Sequence, residues 1–210
     1  MSIKAQDVTD RDTTRFIGFQ SNQLIKQLIN FGGPSNNLSG YIFDYVRAVD
    51  GGMGLHLGFG VNLSKSDLVS QFTNVNNSNT DLLFRVGGIW QHQISKKAIA
   101  GIGYDIALEY LRRKSISETD FNFGSPTEVT SLTNEIRLGV GPRFSLTYQL
   151  SPRIYLGTES TLYPFVTYAD ENVETKVNDQ VQEDNSFDDS KLGYEMTFTS
   201  PTVLFLYVTF

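Results

Sequence analysis

The chain has 210 residues, carries a net charge of -6 and contains no cysteine. That length suits one domain built on one large sheet, and the missing cysteines exclude disulfide and thiolate chemistry. An acidic balance argues against a nucleic-acid surface, which needs a basic stripe, and no apolar run approaches the ~20 residues of a membrane helix.

Residues 1–12 read as an N-terminal periplasmic segment or the remnant of a secretory signal, because Met1-Ser2-Ile3-Lys4 runs into polar sequence without an apolar core. Residues 13–210 read as one β domain. A first, short strand lies near Thr14 to Gln20. It is followed by a long polar connection, Ser21 to Asn37, in which Leu24, Ile25, Leu28 and Ile29 recur at helical spacing. They predict a short helix, either packed over the mouth of the sheet or offered to a partner or lipid surface.

Strands are expected from Leu38 to Ala48 and from Met53 to Leu63, the second with Leu55, Leu57, Phe59, Val61 and Leu63 on one face. His56, Gly58, Gly60 and Asn62 take the other face. After a polar loop from Ser64 to Thr80 come strands over Asp81 to Ile94 and Ile102 to Tyr110. A second polar loop, Arg113 to Val129, precedes strands over Thr130 to Leu150 and Arg153 to Tyr168. The acidic stretch Ala169 to Ser190 leads to the last strand, Lys191 to Phe210. Tight turns are expected at Val49 to Gly52, Ser95 to Lys97 and Ser151-Pro152. Long and short connections therefore alternate, as in an up-and-down sheet with all long loops on one rim.

The polar stripe decides which face points inward. It carries Asp44, Arg85, Asp105, Glu109, Glu135, Arg137, Glu159 and Glu195, interspersed with Gly58, Gly60, Gly87, Gly101, Gly103, Gly139, Gly141 and Gly157. Small residues make room for long ionic side chains inside a narrow barrel, whereas a soluble barrel would show Lys, Thr and Glu on its outer face. The eight charged residues are expected to form an ionic network that fills the lumen. Tyr41, Phe43, Trp90, Tyr110, Phe144, Tyr148, Phe198 and Phe210 fall toward strand ends on the apolar stripe, as interfacial girdles require.

The last strand places Leu204, Leu206, Val208 and Phe210 on one apolar face and ends on an aromatic. This ending, with eight alternating strands and the loop asymmetry, resembles small bacterial outer-membrane β-barrels of the OmpA-transmembrane-domain type. The style of Arg15-Phe16-Ile17-Gly18-Phe19 and the stretch before Pro34 also resembles compact barrels common in Bacteroidetes. The resemblance implies an all-β, antiparallel transmembrane barrel of eight strands, ten being the alternative, in the outer membrane with long loops outside and both termini periplasmic. It further implies that the last strand is read as an insertion signal by the barrel-assembly machinery. Expected partners are outer-membrane lipid, lipopolysaccharide and other outer-membrane proteins, with no nucleic acid.

Catalytic, cofactor and metal sites are not expected. No Gly-x-Ser-x-Gly elbow, His-Glu-x-x-His pair or P-loop occurs, and His56 and His92 are both expected at the turn rim as structural residues. The reading is a non-enzymatic barrel with a structural or interaction role, as an accessory subunit of a larger outer-membrane complex. Its alternatives are a small channel or cation-binding barrel using the acidic lumen, and a soluble lipocalin-like barrel with the opposite facial sense.

Overall fold

The computed structural model describes residues 13–20, 41–49, 52–70, 73–119, 126–177, 180–182 and 187–210. The N-terminal segment 1–12 and the expected helix around Leu24, Ile25, Leu28 and Ile29 lie outside the described residues. Everything regular within them is β: β1 (Thr13–Gln20), β2 (Tyr41–Val49), β3 (Met53–Val69), β4 (Thr73–Gln93), β5 (Ala98–Thr119), β6 (Thr127–Ser151), β7 (Ile154–Val177), β8 (Gln180–Val181) and β9 (Phe187–Thr209).

Each strand pairs antiparallel with its neighbour in sequence from β1 to β7, β7 pairs with β9, and β9 returns to β1. The sheet thus closes in a ring, with the two-residue β8 attached only to β7. Closure removes the exposed edges that an open sheet must protect. The seam is short: β1 joins β9 over Phe16↔Thr209 to Gln20↔Phe205.

Tight turns fall where the Gly, Ser and Pro signals put them. Gly52 donates its backbone N–H to the Val49 carbonyl at 3.1 Å, and Ile94 donates to the Ala98 carbonyl at 2.9 Å. The opposite rim differs from expectation. Ser64 to Val69, Thr73 to Thr80, Arg113 to Thr119, Thr127 to Val129 and much of Ala169 to Ser190 are strand rather than loop: β3 and β4 stay paired to Val69↔Asn74, and β5 and β6 to Thr119↔Thr127. These segments are polar on both faces, so no apolar alternation marks them, yet Thr, Ser and Val at cross-strand positions suit a hydrated ladder. They stand as hairpins beyond the apolar part of the sheet.

Alternation within the sheet is strict. Ile17, Leu55, Phe59, Phe84, Trp90, Ile102, Ile106, Leu108, Leu138, Val140, Phe144 and Val166 lie exposed on the outside, while Asp44, His56, Arg85, Asp105, Arg143 and Glu159 are buried inside. Apolar-out and polar-in inverts the arrangement that water imposes on a soluble sheet. His56 is a correction: it is fully buried inside the ring, not at the rim, because its position three residues into β3 already carries it below the turn. His92, by contrast, is exposed.

Interior glycines create the space for those side chains. A Cβ on Gly58 would lie 3.1 Å from the Arg85 guanidinium, one on Gly139 2.7 Å from the Phe165 ring and one on Gly157 2.6 Å from the Tyr207 ring. Between β6 and β7 the register holds from Gly139↔Phe165 to Arg143↔Thr161, but the ladder is interrupted between them. Pro142 and Pro164 sit in that interval and supply no N–H.

Candidate functional site

Six charged or ionisable side chains from six strands converge in the middle of the ring. Asp44 comes from β2, His56 from β3, Arg85 from β4, Asp105 from β5, Arg143 from β6 and Glu159 from β7, and each is at most 1% exposed. They reach one point because each occupies an inward position of the alternation and neighbouring inward positions are glycine or alanine: Asp44 pairs with Gly58, Arg85 with Gly58 and Ala107, and Asp105 with Gly87 and Gly141.

Every charge has an opposite partner. Arg143 donates through Nε to Glu159 Oε2 at 2.8 Å and through Nη2 to Asp44 Oδ2 at 3.2 Å. Arg85 donates through Nη2 to Glu159 Oε1 at 2.8 Å, and its Nη1 lies 3.8 Å from Asp105 Oδ2. Glu159 is thus clamped between two guanidinium groups. The His56 ring spans two carboxylates, with Nδ1 3.0 Å from Asp105 Oδ1 and Nε2 bonded to Asp44 Oδ1. An ionised carboxylate only accepts, so this arrangement suits a ring that donates from both nitrogens. With His56 in that form, three cations face three carboxylates. Two phenols complete the shell: Tyr163 donates to Asp105 Oδ2 at 3.0 Å and Tyr207 to Asp44 Oδ2 at 2.8 Å.

Apolar side chains close this cluster on both sides. Phe16, Val46, Ile89 and Tyr207 pack toward the tight-turn rim, with Phe16 edge-on to Tyr155 at 5.3 Å, and Leu83, Ala107 and Phe165 pack toward the other. The void left among Phe16, Val46, Ile89, Arg143, Thr147 and Tyr207 measures about 10 Å³, room for one water. Burying six ionisable groups is costly unless they are mutually paired, and here the pairing is dense.

A second cluster sits nearer the long hairpins. Arg137 Nε donates to Glu135 Oε1 at 2.7 Å, and its Nη1 lies 3.2 Å from Glu195 Oε2 and 3.8 Å from Glu109 Oε2. It is partly exposed, with the Glu195 side chain 46% accessible. The eight charged positions expected to work together therefore divide: Asp44, Arg85, Asp105 and Glu159 enter the buried cluster, and Glu109, Glu135, Arg137 and Glu195 form the outer one.

Sequence reasoning left out His56, Arg143, Tyr163 and Tyr207. Their signal was parity. Arg143 is in step with Arg137, Gly139 and Gly141, and Tyr207 lies on the face opposite Leu206 and Val208. Leu204 and Leu206 are half-buried on the outer face, Val208 and Phe210 are exposed, and Phe210 donates its N–H to the Arg15 carbonyl at 3.4 Å, beside the β6–β7 turn.

The arrangement contains no nucleophile–base pair facing an open pocket, and no group of three or more His, Asp or Glu side chains among the described residues is placed to hold a metal. Comparison with protein families, with curated proteins and with solved structures finds no match for the chain.

Proposed function

We propose that the chain is an integral outer-membrane β-barrel with a structural or interaction role, its ring formed by eight strands and its lumen filled by side chains. One observation carries the reading: a closed ring that exposes Leu, Ile, Phe and Trp outward while it buries Asp44, His56, Arg85, Asp105, Arg143 and Glu159 inward. Such a surface is stable against hydrocarbon and unstable against water. The apolar stretch of β5, Ile102 to Tyr110, covers about nine residues, close to the ~9–11 that a tilted strand needs to cross.

The hairpins beyond that band support an interaction role. β5 continues past Tyr110 to Thr119, roughly 30 Å of further strand at ~3.4 Å per residue. This paired, polar surface suits recognition of another outer-membrane protein or of surface glycolipid. In it, Glu174 and Glu128 bond Lys176 and hold its ammonium above the usual lysine range, and Lys191 is likewise raised by its bond to Asp189.

The sealed cluster argues against conduction. In planar bilayers the purified protein is expected to give no reproducible openings, even at high salt. Steady cation-selective openings that disappear in Glu109→Gln or Glu135→Gln would replace this reading with that of a small channel.

A further inference from the structure

The wall formed by β3, β4 and β5 changes character within two residues. On the outer face, Val61, Leu82, Tyr110 and Ile136 form one cross-strand row, and Leu63, Thr80, Arg112 and Asn134 form the next. The row after that is Lys65, Ser78, Lys114 and Leu132. Three exposed cations, Lys65, Arg112 and Lys114, therefore stand directly beyond the last apolar row, with the Tyr110 hydroxyl donating to Asn134 at 3.2 Å on the boundary.

Among the described residues these cations are unneutralised. None of the three makes an ion pair with a described residue, whereas Lys176 pairs with Glu174 and Glu128, and Lys191 with Asp189. The acids nearest on the same face are Asp67, one row beyond Lys65 on β3, Asp170, which shares the Arg112 row two strands away on β7, and Glu118, farther out along β5, and none of them pairs with the three cations. In a chain whose net charge is -6, a basic triad in two adjacent rows of one wall, with no ion-pair partner among the described residues, calls for an anion from outside.

We propose that Lys65, Arg112 and Lys114 bind the phosphate of an anionic lipid headgroup at the outer rim of the bilayer. The site rests on the membrane-barrel reading and deepens it. Its level fits: a lipid packed against Leu63, Leu82 and Tyr110 presents its phosphate at the height of Arg112. Its geometry fits too, since strands lie ~4.8 Å apart, which puts Lys65 and Lys114, on either side of Ser78, roughly 10 Å apart, so that two long side chains can close on one phosphate with Arg112 beneath.

Native mass spectrometry of the purified protein in neutral micelles tests this, with phosphatidylglycerol and phosphatidylcholine as probes. Phosphatidylglycerol is expected to be retained about tenfold better, each surface cation adding to its attraction. The triple variant Lys65→Ser, Arg112→Ser, Lys114→Ser should lose that preference, while Lys176→Ser keeps it. Equal retention of the two lipids, an unchanged preference in the triple variant, or full displacement of phosphatidylglycerol by millimolar inorganic phosphate overturns the proposal. Co-flotation with pure phosphatidylcholine vesicles separates its failure from that of the barrel: a protein that floats without preferring phosphatidylglycerol refutes only the lipid site.

Discussion

Arg143→Met is expected to be the most damaging single substitution in the protein. Its guanidinium joins Glu159 and Asp44, both buried, and its removal leaves two buried carboxylates with one partner fewer each. Breaking a buried ion pair from one side costs ~3–5 kcal/mol, a large share of the stability of an ordinary domain. In urea titrations of the protein folded into vesicles, the midpoint should fall sharply, and the heat-sensitive fast-migrating band should shrink. The second substitution Glu159→Gln should restore part of the loss, because it removes one of the stranded charges. An Arg143→Met protein as stable as the parent would mean that the buried cluster is not held together as described.

Gly141→Ala should follow closely in effect. The added methyl would be driven into the Leu162 carbonyl of the adjacent strand and would lie 3.1 Å from the Tyr163 ring. A backbone carbonyl cannot rotate aside, so β6 and β7 must separate where Pro142 and Pro164 have already interrupted their ladder. Overpacking of this kind costs ~1–3 kcal/mol. Gly193→Ala is the control, since a Cβ there meets only the Thr167 hydroxyl, at 2.7 Å, and that group can turn away. Both variants measured in the same urea series should differ clearly; equal midpoints would show that close approach of β6 and β7 does not limit the ring.

Much of this architecture was legible along the chain, and the reasons are local. Leu55 to Leu63 and Ile102 to Tyr110 alternate so regularly that their strands and faces follow from period alone. The glycines on the polar stripe indicated that this stripe was the crowded one, and in the structure Gly58, Gly139 and Gly157 do lie against Arg85, Phe165 and Tyr207. The long hairpins were misread as loops because Thr73 to Thr80 and Arg113 to Thr119 carry polar residues on both faces. Only pairing with an equally polar neighbour makes them strands.

Partnership was the harder part. Asp44 and Arg143 are separated by 99 positions, and Tyr207 and Asp44 by 163, so nothing near either residue announces the other. His56 was assigned to the rim by its distance from a turn, when its parity with Gly58 already placed it inside. The division of the charged stripe into a buried and an outer cluster likewise depends on the relative height of strands. Cross-strand register sets that height, and period does not encode it.

If the exposed apolar face contacts hydrocarbon, spin labels on it report that contact directly. The chain has no native cysteine, so single labels at Ile106→Cys, Leu138→Cys, Val166→Cys and Lys114→Cys report without interference. In reconstituted vesicles the first three should be accessible to dissolved oxygen and shielded from a water-soluble nickel chelate, with the reverse at position 114. Equal exposure of all four labels to the nickel chelate would contradict the account.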